Sequence, residues 1–180
     1  FTSLQSNLAA TVQNTGLELT LRTINVQGDF FGWTTNFNLT LPKNKLIAFP
    51  GLATSTYRNQ YVIGESINIQ KLYHFTGVDP TTGVYQFEDV NGDGLLSFAD
   101  DAQTVKDFSP EFYGGLQNQL RYKRFQLEFL IQFVKQLNWN AASQFPVPGA
   151  FANQPTSVLG AWQQAGDLST TQLYTNGLNS

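Results

Sequence analysis

Cysteine is absent from the 180 residues, and so is methionine, even at position 1, where the chain opens FTSLQSNLAA. Without Cys there are no disulfides, no thiolate metal sites and no cysteine nucleophile. The missing initiator places the expected start inside a longer product or after processing. Charge is scarce too: Asp, Glu, Lys and Arg make up 13% of the chain, with a net charge of −3. Binding phosphate backbones needs clustered Lys and Arg, and none occur, so nucleic acid is not an expected partner. No apolar run reaches helix-spanning length and no signal-peptide pattern is present. These absences exclude a helical membrane protein and leave a β-barrel open. A single histidine, His74 in KLYHFTG, has no nucleophile marked beside it, so no triad can be assembled. Glu65, Glu88 and Glu111 carry no pairing geometry in the sequence. No enzyme is expected.

What the chain does have is aromatic and alternating. Aromatics reach 14%, with fifteen Phe and seven Tyr, and neutral amides and hydroxyls supply most of the polarity. In FFGWTTNFNLTL, Phe31, Trp33, Phe37, Leu39 and Leu41 fall on one face with Thr35. Gly32, Thr34, Asn36, Asn38 and Thr40 fall on the other. The same period of two runs through FQLEFLIQFVK, GLELTLRTINV and FYGGLQNQLRY. It predicts strands over about 16–26, 31–41, 112–122 and 125–135. At ~3.3 Å per residue an eleven-residue strand extends about 36 Å. Tilted by ~45°, it covers about 25 Å, the height of a barrel's apolar band.

The connections alternate short and long. A turn near Gly28 joins the first two strands and a turn at Lys123 and Arg124 joins the last two, while 42–111 and 138–180 are long. Tight turns on one side and large loops on the other are the connectivity of an outer-membrane barrel. The fold class expected is therefore all-β, a section of a large antiparallel transmembrane barrel with long extracellular loops. Phe31, Trp33, Tyr122 and Phe125 lie beside the short turns, where an aromatic girdle belongs. The loop aromatics Tyr57, Tyr61, Tyr73, Phe75 and Tyr85 are assigned to mutual packing ahead of ligand contact. The sequon at Asn38 lies mid-strand and carries no weight.

Inside the long connection, FEDVNGDGLLSFADD (87–101) spaces its oxygens like a calcium loop. Asp89, Asn91 and Asp93 occupy positions one, three and five, and Gly94 takes the sharp turn at six. The Leu95 carbonyl stands at seven and Asp100 at twelve, with Ser97 at nine able to act through water. Three carboxylates gathered within ~5 Å repel by about 3 kcal/mol per pair at an effective dielectric of ~20, which a hard cation removes. The expected ligands are Asp89, Asn91, Asp93, Leu95 and Asp100. The expected ion is Ca2+, with Mg2+ the alternative, in a structural role.

Two long stretches, GVDPTTGVYQFEDVNGDGLLSFADD and FSPEFYGGLQNQLRYKRFQLEFLIQF, resemble the SusC/RagA family of TonB-linked outer-membrane transporters. NTGLELTLRT, NKLIAFPG and NQPTSVLGAWQQAGD are similar to further family motifs and follow in the same order. Departures are Ala161 for an Arg before Trp162, Ala165 for a Pro before Gly166, and Phe98 for an Asp in the metal loop. The resemblance implies a barrel of about 22 strands with an N-terminal plug. Residues 1–180 would be one late section of it, lacking the plug and the closing C-terminal strands. It further implies a bacterial outer-membrane location among lipid, a SusD-like surface lipoprotein, the TonB complex, and import of an oligosaccharide or peptide. A secreted, calcium-stabilised β-sandwich that binds or adheres is the alternative that alternation and the metal loop leave open.

Overall fold

The computed structural model describes residues 8–175. In chain order its elements are β1 (Thr11–Gln27), β2 (Phe31–Ala48), β3 (Ile69–Leu72), β4 (Phe75–Val78), β5 (Tyr85–Phe87), α1 (Phe98–Asp101), β6 (Thr104–Asp107), β7 (Phe112–Tyr122) and β8 (Phe125–Lys135). Short 3-10 turns follow at Leu52–Thr54, Ala141–Gln144 and Thr156–Gly160. No helix among the described residues is long and apolar enough to cross a membrane, which says nothing about strands. The chain forms two compact units, one from 1–70 with 107–137 and the other from 71–106 with 138–180.

The first unit is built on one antiparallel sheet in the order β1-β2-β7-β8. Its register pairs Leu19 with Leu39, Phe37 with Leu116, and Leu116 with Ile131, so apolar residues form rows across all four strands. β7 and β8 occupy the expected spans 112–122 and 125–135. β1 and β2 run further than expected toward the long connections, starting at Thr11 and ending at Ala48. Pro42 is tolerated inside β2 because the β7 ladder stops at Thr40, leaving that flank of the strand unpaired. Opposite it stands Gly16, where a Cβ would lie 2.9 Å from the Leu41 carbonyl oxygen.

Beyond Thr40 the place of β7 is taken by the connection itself. Leu46 donates its N–H to Glu65 O at 2.7 Å and accepts from Gly64 N at 2.8 Å. Buried apolar residues of this unit gather at that end: Leu46, Phe49 and Ile69. Phe49, Tyr57 and Tyr61 stack onward from it at centroid distances of 5.9 Å. The middle of the sheet has no such cover. Leu17, Phe129 and Ile131 are 64%, 41% and 52% exposed.

In the second unit β4 and β5 form a hairpin. Tyr73, Phe75, Tyr85, Phe87 and Phe98 pack edge to face or tilted around it, 5.4–6.0 Å apart. Ala102 and Ala161 are its buried apolar residues. All five loop aromatics singled out in the sequence thus have ring partners.

Candidate functional site

The sheet presents two chemically distinct faces. On one, Leu17, Leu19 and Leu21 of β1 align with Leu41, Leu39 and Phe37 of β2. The rows continue through Leu116 and Leu120 of β7 to Ile131 and Leu127 of β8. Gly114 interrupts this face so that Phe133 can lie across it and stack on Phe37 at 6.2 Å. On the opposite face amides form a chain: Asn36 Nδ2 donates to Gln117 Oε1 at 3.3 Å, and Gln117 Nε2 donates to Glu128 Oε1 at 2.5 Å.

One polar cluster sits within the apolar face, and periodicity gave no sign of it. Asn118 is only 6% exposed, and its Oδ1 accepts from Trp33 Nε1 at 2.9 Å and from Thr35 Oγ1 at 2.8 Å. A β-bulge between Ile24 and Val26 swings Asn25 into reach. Its Nδ2 donates to Thr35 Oγ1 at 2.6 Å, while its Oδ1 accepts from Thr23 Oγ1 at 2.9 Å. The cluster bonds to itself.

The calcium-type loop lies in the second unit. Asp89 receives two backbone N–H groups, Gly92 N on Oδ1 and Gly94 N on Oδ2, both at 2.7 Å. Gly92 and Gly94 have φ of 72° and 81°, the left-handed turn the spacing demands. Asn91 Oδ1 accepts from Asp93 N at 3.1 Å, and Asn91 Nδ2 donates to Asp93 Oδ2 at 3.0 Å. Asp93 Oδ1 accepts from Leu95 N at 2.8 Å. The structure thus brings Asp89, Asn91, Asp93 and the Leu95 backbone together.

Asp100 goes elsewhere. Ser97 caps α1, accepting from Asp100 N at 3.1 Å and donating Oγ to Asp100 Oδ2 at 2.8 Å. Its neighbour Asp101 turns inward instead, 1% exposed, accepting Ser97 N at 2.7 Å and Val90 N at 2.8 Å. The Ser97 N–H chiefly holds the Asp101 carboxyl below its ordinary pKa; burial opposes this, and the Val90 N–H reinforces it. Asp101 closes the loop, a role the spacing rule assigned to no residue.

A hard cation asks for six to eight oxygens at ~2.3–2.6 Å. The donor set here is all oxygen, and an oxygen that accepts one N–H keeps a second lone pair for an ion. Among the described residues, however, no three His or acidic side chains converge into a metal-holding group. Donor chemistry and turn fit a hard cation; position twelve is where the fit is incomplete.

Beside the loop, two of the motifs noted in the sequence meet. Asp79 Oδ1 accepts Thr81 N at 2.7 Å, tightening the DPTTG turn. That N–H is the main reason the Asp79 carboxyl titrates below its ordinary value. Trp162 packs its ring where a Cβ on Gly83 would stand and donates Nε1 to Pro80 O at 3.1 Å. Gly166 N also donates to Pro80 O, at 2.8 Å, and Leu173 N to Gly83 O at 2.8 Å. His74 Nδ1 and Glu88 Oε2, 2.8 Å apart and both exposed, flank the metal loop as an ion pair rather than a catalytic dyad.

No protein-family model matches the chain. Among curated proteins it is 28% identical over 155 residues to TonB-dependent receptor P26 of Formosa agariphila, covering 73% of this chain and 16% of that protein. It is 27% identical over 147 residues to TonB-dependent receptor P3 of the same organism, covering 67% of this chain and 15% of that one. The chain therefore spans less than a fifth of the length of the curated relatives it matches. Among solved structures it superposes on the one titled "Structure of the RagAB peptide transporter" with a TM-score of 0.73 at 18% identity. The match covers 93% of this chain and 20% of that one, and it shows a shared fold. The named relatives are receptors and a transporter, not enzymes.

Proposed function

As a barrel segment of a TonB-dependent receptor of the SusC/RagA type, this chain, we propose, forms part of the wall of an outer-membrane nutrient importer. One observation carries the reading. Rows of large apolar side chains stay exposed across four registered strands, while amides line the reverse face. Exposed apolar rows of this extent need a non-aqueous neighbour, and lipid supplies it without closing a core. The amide face then borders a watery lumen, and 49–111 and 136–175 face the cell exterior. The cargo is an oligosaccharide or a peptide, admitted with a SusD-like surface lipoprotein and drawn in through the TonB complex. The names of the relatives support this assignment.

The test is location and solvent. The full-length receptor should fractionate with outer membranes and keep its fold only in detergent or bilayer, and deleting its gene should abolish uptake of one glycan or peptide mixture. A protein that is monomeric and folded in plain buffer would instead support a secreted β-sandwich.

The loop 89–101 is proposed as a structural Ca2+ site using Asp89, Asn91, Asp93, Asp100 and the Leu95 carbonyl. Its support is the all-oxygen donor set and the left-handed turns at Gly92 and Gly94. When bound, the ion would neutralise the clustered carboxylates and order an outer loop. Chelation should then speed proteolysis within 89–101, and Asp89→Ala should mimic it. Cleavage indifferent to chelator would remove the ion from the account.

A further inference from the structure

The apolar columns change character at the end of the sheet that carries the long connections. Following one face outward, β2 reads Leu39, Leu41, Lys43, Lys45; β1 reads Leu17, Thr15, Gln13; β8 reads Ile131, Phe133, Lys135. Lys43 pairs across the ladder with Thr15, and Lys45 with Gln13. Lys43, Lys45, Thr15 and Gln13 line an open cavity of about 560 Å³, completed by Glu65, Asp107, Ser109 and Glu111. Grease gives way to ammonium groups within two residues along a column.

The charges in this cavity are not matched to one another. Glu111 is taken by Lys135, with Nζ and Oε2 2.7 Å apart. Asp107 Oδ1 accepts Ser109 N at 2.8 Å. Among the described residues, Lys43 and Lys45 have no carboxylate within ion-pair distance, and both side chains are exposed. Two free cations therefore stand at the head of apolar columns. That is the imprint of an amphipathic anion, with its chains on Leu39, Leu41 and Leu17 and its head among the lysines.

We propose that this cavity binds the phosphate-bearing headgroup of an anionic lipid of the outer leaflet, held by Lys43 and Lys45. The proposal rests on the outer-membrane reading, which puts this end of the sheet at the exterior surface. The occupant is a lipid rather than free phosphate because the cations continue the apolar columns instead of standing apart from them.

The experiment uses the full-length receptor in mixed micelles doped with lipid A, with dephosphorylated lipid A, or with inorganic phosphate. Lipid retained after repurification is counted per protein. Wild type should retain the phosphorylated lipid, and Lys43→Gln with Lys45→Gln should weaken retention about 25-fold, at roughly fivefold per lysine near an anionic surface. Lys43→Arg with Lys45→Arg should preserve it. Millimolar inorganic phosphate should not displace the lipid. Undiminished retention by the Gln variant, equal retention of the dephosphorylated lipid, or displacement by inorganic phosphate would each overturn the proposal. Heat-modifiable mobility of the same samples separates the two failures. A receptor that is not membrane-embedded refutes the importer reading, whereas an embedded receptor indifferent to these lysines refutes only the lipid site.

Discussion

Gly114 and Gly115 are adjacent in sequence, face opposite sides of the sheet, and should respond oppositely to one added methyl. A Cβ on Gly114 would sit 2.2 Å from the Asn38 carbonyl oxygen and 2.7 Å from Phe133 Cζ. The first obstacle is backbone, so the β2–β7 ladder must part locally. Losing two ladder hydrogen bonds costs about 2 kcal/mol at ~1 kcal/mol each. Displacing Phe133 from its stack on Phe37 costs about 1 kcal/mol more. Restricting the unfolded chain returns only ~0.5 kcal/mol. Gly114→Ala should therefore cost about 2.5 kcal/mol, between ten- and a hundredfold in the folding equilibrium at ~1.4 kcal/mol per factor of ten. Gly115 is the control. Its Cβ would meet Leu130 Cδ1 at 3.3 Å, the movable tip of a side chain, so Gly115→Ala should fall within about 0.5 kcal/mol of wild type. Urea unfolding of the full-length receptor in detergent, followed by tryptophan fluorescence, reads both. A Gly114→Ala midpoint equal to wild type, or a larger loss for Gly115→Ala, would show that the close approach of β2 to β7 is not as described.

Gly83→Ala should cost about 3 kcal/mol locally, because φ of +73° and a Trp162 ring 2.3 Å from the new Cβ act together. With Trp162→Ala beside it only about 1 kcal/mol should remain, a coupling that a double-mutant cycle measures. Asn118→Ala strips the acceptor from Trp33 Nε1 and Thr35 Oγ1; about 2 kcal/mol of lost stability and a shifted Trp33 emission are expected, and an unchanged spectrum would count against the cluster. Asp101 makes a prediction in pH. Its folded pKa lies below the ordinary 3.8, so its clamp on Val90 and Ser97 is intact above 3.8 and fades as pH falls through the folded value. Pepsin cleavage near 90–97 should rise through that acid window in wild type and be insensitive to pH there in Asp101→Asn.

The sequence exposes most where alternation runs unbroken into a tight turn. β7 and β8 could be bounded to the residue because apolar and amide side chains alternate up to Lys123, whose φ of 54° makes the turn. β1 and β2 were read short where the alternation loses contrast. Thr11–Thr15 are polar on both faces, and Pro42, Lys43, Asn44 and Lys45 resemble a loop, yet these residues form a ladder. The metal loop shows the same limit at the level of a site. Spacing identifies Asp89, Asn91 and Asp93, whose oxygens bind N–H groups two to five residues away. It cannot tell which of two consecutive aspartates turns inward. That is decided by Val90 N and Ser97 N, which only Asp101 reaches. Contacts over longer sequence distances, such as Trp33 with Asn118, leave no periodic trace at all.

The Asn118 cluster bears on the lipid-facing assignment more sharply than any apolar residue does. Its Thr35–Asn118 pair stands four residues above Phe31, hence about 9 Å up a strand tilted by ~45° at ~3.3 Å per residue. A lone Asn or Thr at that depth would hold unpaired donors against hydrocarbon, at several kcal/mol each. Here the Trp33 indole N–H, the Thr23 and Thr35 hydroxyls and one Asn25 amide N–H are each directed to an oxygen of the same cluster. A watery neighbour would demand no such closure. The amide face shows the contrast: its Asn36–Gln117–Glu128 chain runs out on an exposed carboxylate, as a surface bordering water allows. The bulge at Ile24/Val26 belongs to the same logic, since without it Asn25 would fall out of phase and Thr35 would lose a donor.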